Sequence, residues 1–138
     1  MVSKELILKE FITASAKYHK LLPPESLGNG FMIKGSIDVI DDNNEYWDTY
    51  DVNILIPESY PLELPILLET SMKIERHEDW HNNAGICCLS TNAKMHSDLG
   101  NEITILNWLE KFAHPFLANH VYRIKTGHYS NKEFAHGT

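Results

Sequence analysis

Between Phe31 and Ile56 the chain alternates apolar and polar residues twice, on either side of Asp41-Asp42-Asn43-Asn44. In the first run Phe31, Ile33, Ile37 and Val39 are apolar, with Lys34, Ser36 and Asp38 between them. In the second, Tyr46, Tyr50, Val52, Ile54 and Ile56 share one face, while Trp47, Thr49, Asp51 and Asn53 share the other. Successive side chains of a strand point to opposite faces, so each run reads as a half-buried strand. Asp and Asn favour turns through hydrogen bonds to their own backbone, so the four residues between the runs read as the turn of an antiparallel hairpin.

The flanking segments have a different period. From Ser3 to about Leu22, the residues Leu8, Phe11, Ile12, Tyr18 and Leu22 recur at helical steps, predicting an N-terminal helix with Ser3 as its N-cap. Pro23 and Pro24 would stop it, and Gly28 to Gly30 would make a turn. Beyond Pro57 the segment to Pro65 is too rich in proline to be anything but loop, and Ile66 to Thr70 reads as a third short strand. From Ser71 to Gly100 no period survives, and a loop of that length in a compact domain is usually functional or carries short structure of its own. Ile103, Leu106, Leu109, Phe112 and Phe116 resume helical spacing; Pro115 is expected to kink or split that helix, and Gly127 to end it. The expected fold is α+β over one domain, 1–138: an N-terminal helix, an antiparallel three- to four-stranded meander, a long loop and C-terminal helices.

Twelve Lys and Arg against nineteen Asp and Glu give a formal charge of −7, which disfavours nucleic acid and anionic membrane as partners. Two adjacent cysteines, Cys87 and Cys88, are awkwardly placed for a structural bridge. No apolar run approaches the length of a membrane span, and Lys4, Glu5, Lys9 and Glu10 interrupt the N-terminus, so a reducing cytoplasm is the expected compartment.

The segment Glu58-Ser-Tyr-Pro-Leu-Glu-Leu-Pro65, followed by a short strand and then His81-Asn-Asn-Ala-Gly-Ile-Cys-Cys-Leu89, resembles a ubiquitin-conjugating enzyme. In that superfamily a strand runs into a P-x-x-Y-P-x-x-x-P loop, matched by Pro57, Tyr60, Pro61 and Pro65. The catalytic segment carries Gly three residues before the Cys and Leu after it, matched by Gly85, Cys88 and Leu89. The resemblance covers roughly Phe31 to Trp108 and implies that Cys88, not Cys87, is the catalytic thiol. The usual His-Pro-Asn triplet is missing; His77-Glu78-Asp79 and His81-Asn82-Asn83 stand nearby instead. The small size and a His-Gly near the C-terminus (His136, Gly137) are more similar to compact prokaryotic members associated with bacterial antiphage (CBASS) operons. That likeness implies a protein partner whose C-terminal tail is carried, a cyclic-oligonucleotide synthase (CD-NTase), and no cofactor.

A carrier thiol must attack an acyl group, hold it as a thioester and release it to an amine or thiol, and cysteine alone combines these abilities. Stabilising the tetrahedral oxyanion is the larger demand, so a polar donor is expected beside the sulfur. His81 and Asn83 are the expected catalytic helpers, with Asn82 a further candidate. Gly85, Cys87, Tyr60 and Pro61 are expected to face the partner: glycine lets an extended tail approach the backbone closely, and Tyr60 also anchors the proline loop. Two alternatives stand beside this reading. One is a non-catalytic binding module of the same fold; the other is a small zinc protein using His77, His81, Cys87 and Cys88.

Overall fold

A computed structural model describes residues 2–127, so His136 and Gly137 lie outside the described residues. In chain order the elements are α1 (Lys4–Ser15), β1 (Glu25–Leu27), β2 (Gly30–Ile40), β3 (Tyr46–Ile56), β4 (Ile66–Glu69), a 3-10 turn (Glu78–Trp80), β5 (Asn82–Asn83), β6 (Ile86–Cys87), α2 (Asn92–Leu99), α3 (Ile105–Trp108), a π-type turn (Leu109–Ala113) and α4 (His114–Thr126). The strands form one antiparallel sheet in the order β1-β2-β3-β4-β6-β5. The expected meander is therefore present as β1 to β4, and the segment 71–100, which shows no period in the sequence, carries short structure of its own: the 3-10 turn, a second small hairpin, β5-β6, and the helix α2.

The alternation that predicts the hairpin also builds the core. Ile33, Ile37, Tyr50 and Ile54 are fully buried, and Ile33 pairs with Ile54 and Ile37 with Tyr50 across the sheet. Asp41 shapes the turn: its Oδ1 accepts the N–H groups of Asn43 (2.8 Å) and Glu45 (2.9 Å), and its Oδ2 accepts the Trp47 indole N–H (2.9 Å). A bulge between Val39 and Ile40 inserts one residue into β3 and reverses the alternation beyond it. Tyr46, expected on the buried face, is therefore exposed, and Trp47 packs against the core and stacks on Tyr122 of α4 instead.

The bulge has a second consequence. Ile40 N–H, out of the ladder, donates to His114 Nε2 at 3.2 Å, so His114 carries its proton on Nδ1, 3.2 Å from the Tyr18 hydroxyl. Burial, with Lys17 close by, pushes the His114 pKa down, and burial likewise lowers those of His120 and His81.

The helices correct the reading in phase and length. Ser3 caps α1 as expected, its side chain accepting Leu6 N–H at 3.1 Å. The buried stripe, however, is Ile7, Phe11, Ala14 and then Tyr18, while Leu8, Ile12 and Leu22 are exposed. Two overlapping apolar stripes fit the same period, and the chain buries the one that carries Ile7, Phe11 and Ala14. α1 ends at Ser15, well before the prolines, because the chain turns to lay Leu21 beside Gly35 in an isolated bridge. Gly35 has a φ of +147°, and a Cβ there would meet Lys20 O at 2.4 Å, so only glycine admits this crossing. Pro115 marks the expected division of the C-terminal helical run: α4 begins at His114 with Pro115 in its first turn, where no N–H is needed, after the π-type turn that ends at Ala113. Gly127, at φ +85°, caps α4 by donating to Arg123 O at 2.7 Å. α4 packs on β2 and β3, and α1 on α3. No described helix is long and apolar enough to cross a membrane.

Two outcomes follow. Gly35→Ala costs about 2–4 kcal/mol in urea denaturation, through backbone strain and the clash with Lys20. The depressed histidines make the unfolded chain bind more protons than the folded one below about pH 6.5. Their contribution is complete above that pH and is lost as pH falls through the folded values. The urea midpoint therefore drops between pH 7 and pH 5, and His114→Gln makes that slope shallower.

Candidate functional site

The segment leading to the cysteines is organised by a buried carboxylate. Period two from Leu67 turns Glu69 inward, where its side chain is fully buried. Its Oε1 accepts from Arg76 Nη1 (2.5 Å) and Ile74 N–H (3.2 Å); its Oε2 accepts from Ser71 Oγ (2.5 Å) and Lys73 N–H (3.2 Å). Arg76 also donates to the main-chain oxygens of Ile74 (2.7 Å) and Glu69 (2.6 Å). Burial alone would raise the carboxyl's pKa, but the bonds from Ser71, Arg76, Lys73 and Ile74 outweigh it and hold the group below the ordinary range.

The β5-β6 hairpin is hung from this network. Glu69 N–H donates to Gly85 O at 2.8 Å, and Leu68 pairs with Ile86. Ala84 and Gly85, with φ of +53° and +97°, form the two-residue turn. Asn82 is buried and pins that turn, its Oδ1 accepting Gly85 N–H (2.8 Å) and its Nδ2 donating to Ile74 O (3.2 Å). Asn82 pairs with Cys87 and Asn83 with Ile86, so Asn82 and Cys87 fall on the buried side, while Asn83 and Ile86 are exposed.

The same alternation separates the two thiols. Cys87 is buried, and burial, helped by the Glu69 charge, pushes its pKa up to about 12; its Sγ points at Gly85 O, 3.8 Å away. Such a thiol is not a nucleophile near neutrality. Cys88, one residue on, is exposed, and its N–H donates to His81 O at 2.8 Å. His81 is half-buried and left-handed (φ +54°), closing the 3-10 turn. Burial, and then the Arg123 charge, lower its pKa and favour the neutral ring. That turn leans on α4: His120 Nε2 lies 2.6 Å from Trp80 O, Arg123 Nη1 donates to Asp79 O at 2.6 Å, and the guanidinium sits 3.6 Å over the Trp80 ring.

The remaining expected residues fall in different settings. Gly85 is buried, and its close approach is to β4: a Cβ would stand 3.4 Å from Glu69 O. Tyr60 is buried and donates to Glu10 Oε1 at 2.6 Å, an oxygen that also accepts Ile105 N–H at 2.9 Å, so the proline loop is tied to α1 and α3. Pro61, joined to Tyr60 by a cis bond, is exposed. Asn92 joins that loop to α2 through Leu64 N–H (2.9 Å) and Leu62 O (3.0 Å). His77 is engaged as the N-cap of the 3-10 turn, accepting Asp79 N–H at 3.1 Å. Among the described residues no three His, Cys, Asp or Glu side chains are gathered to hold a metal ion. Glu69, Arg76, His120 and Arg123 were not singled out by the sequence. An acidic residue at an inward strand position is the one signal that points to Glu69.

No protein-family model and no curated protein matches the chain. Among solved structures it is similar to the yeast Vps23 UEV domain, crystallised in complex with a Vps27 PSDP peptide, at a TM-score of 0.53 and 11% identity over 98% of each chain. The likeness is one of fold. The UEV domain has a UBC-like fold, and the α+β order found here, with helices at both ends of an antiparallel sheet, agrees with it.

Glu69→Leu removes the acceptor for four donors and strands Arg76, a loss of about 3–5 kcal/mol. Glu69→Gln keeps the shape and costs less. Chemical denaturation of both variants measures the difference.

Proposed function

We propose that this protein is a ubiquitin-conjugating-like acyl carrier, in which Cys88 takes the C-terminal acyl group of a partner protein as a thioester and passes it on. The observation that carries the reading is the division of the two thiols: Cys88 is open to solvent at the end of the β5-β6 hairpin, whereas Cys87 is sealed beneath it. The motif likeness assigns the chemistry to position 88, and the exposure there is what that chemistry requires.

In the forward step the Cys88 thiolate attacks the activated acyl carbon of the donor. The bond from that carbon to the donor's leaving atom breaks, and the leaving group departs with the electron pair. In the second step an amine attacks the thioester, loses a proton and releases the Cys88 sulfur. His81, joined to Cys88 by a main-chain hydrogen bond, is the side chain we assign to take that proton, and general-base assistance of this kind contributes typically about a hundredfold or more. Asn83, exposed on the same hairpin, is the side chain we assign to the developing oxyanion. We assign the tail to a cyclic-oligonucleotide synthase (CD-NTase), on the strength of the likeness to compact prokaryotic conjugating-enzyme-like proteins alone.

A second reading is a peptide-binding module without chemistry, favoured by the yeast domain of similar fold that holds a PSDP peptide. The two are separated at one residue. Under the acyl-carrier reading, the activated partner forms an adduct on the wild-type chain that a reducing agent cleaves. Cys88→Ala forms none, Cys87→Ala forms it as the wild type does, and Cys88→Lys forms an adduct that survives reduction. Mass spectrometry of intact protein reads all four. A reducible adduct on Cys88→Ala, or full function in cells from that variant, overturns the acyl-carrier reading; the second result favours the binding module.

A further inference from the structure

Two consecutive main-chain carbonyls, those of Asp79 and Trp80, are both held by α4. Arg123 Nη1 donates to Asp79 O at 2.6 Å, and His120 Nε2 lies 2.6 Å from Trp80 O. The Arg123 guanidinium carbon lies over the Trp80 ring, 3.6 Å from its centre, and the indole stands 6.1 Å from the His120 ring. Residues 120 and 123 are three apart and share one face of the helix. The gripped segment ends where the candidate site begins: His81 N–H donates to Glu78 O at 2.9 Å, and His81 O accepts Cys88 N–H at 2.8 Å. A continuous chain of hydrogen bonds and backbone therefore runs from α4 to the candidate nucleophile.

The His120 contact has a definite polarity. Both ring nitrogens face carbonyl oxygens, which only accept, and a neutral ring has one proton to give; the shorter contact, 2.6 Å from Nε2 to Trp80 O, is the one assigned to it. The other nitrogen, Nδ1, faces Phe116 O at 2.9 Å, inside α4 itself, and the residue is 1% exposed. The link to the site thus depends on a donor at the ε position of a buried side chain. Glutamine can place an amide N–H close to that position; asparagine, one methylene shorter, places it nearer the δ position.

Resting on the acyl-carrier reading, the geometry points to His120 and Arg123 as positioning residues: α4 clamps the 78–81 segment so that His81 and Cys88 are held side by side. Neither residue needs to touch the acyl group. Their effect reaches Cys88 through Trp80 and His81, and it is local, separable from the stability of the sheet.

The test compares full-length wild type with Arg123→Gln, His120→Asn and His120→Gln. Hydrogen exchange is followed at the Cys88 amide and at β2 and β3, and the iodoacetamide alkylation rate of Cys88 is mapped by peptide mass spectrometry. The expected result is exchange at the Cys88 amide about tenfold faster in Arg123→Gln and His120→Asn, with β2 and β3 unchanged. His120→Gln is expected within about twofold of wild type, and the alkylation rate should change in the same two variants and not in the third. The proposal is overturned if the Cys88 amide stays within twofold of wild type in those two variants. It is also overturned if all amides accelerate together, or if His120→Gln behaves like His120→Asn. Should the buried His120 variants fail to fold, the half-buried Arg123 carries the test alone on the same criteria. The covalent reading fails separately: no adduct on Cys88→Lys, with the exchange effect intact, removes the acyl chemistry and leaves the clamp as a property of the fold.

Discussion

A carboxylate without water must find its hydrogen bonds in the protein, and Glu69 finds four, all from residues that follow it in the chain. Ser71, Lys73, Ile74 and Arg76 belong to no helix or strand, and a common acceptor ties their path from β4 towards the 3-10 turn together, alongside the Lys73 bond to Asp48 and the burial of Ile74. The charge converts a stretch without hydrophobic period into a defined surface. From it the β5-β6 hairpin is suspended through the Glu69 N–H bond to Gly85 and the Asn82 bond to Ile74. The position of Cys88 is thus set by polar bonds on one side and by α4 on the other, between the buried Cys87 and Leu89.

This explains which parts of the molecule were legible in the amino-acid sequence. β2 and β3 were, because burial of one face imposes a strict period on eleven residues at a time. Tyr46 was misassigned because a single inserted residue reverses that period, and a bulge leaves no mark in composition. In α1 both Leu8-Ile12 and Ile7-Phe11-Ala14 satisfy a helical repeat, and only the partner surface decides between them. The hairpin of β5 and β6 was invisible: its strands have two residues each, too few for a pattern, and its turn, Ala84-Gly85, lacks the Asn-Gly pair that usually announces one.

The candidate site divides in the same way. Cys88 was singled out by the likeness of Gly85, Cys88 and Leu89 to the conjugating-enzyme motif, and it is exposed. Its surroundings could not be read in that way, since they arrive from positions far along the chain: Glu69 and Arg76 from one side, His120 and Arg123 from the other. Gly85 looked like a residue that lets a tail come close; it is close instead to the strand beneath it. Tyr60 looked like both anchor and contact, and its hydroxyl is engaged with Glu10.

The sheet's outline has a further consequence. Its two longest strands, β2 and β3, lie inside it, whereas the margins are formed by β1, three residues long, and β5, only two. Unpaired N–H and C=O groups along a strand margin are a template on which another chain can assemble, and shortening the margin removes most of that template. The small β5-β6 hairpin that presents the cysteine therefore also seals one side of the sheet, and a change that detaches it would lay bare β4 and invite self-association into insoluble aggregates.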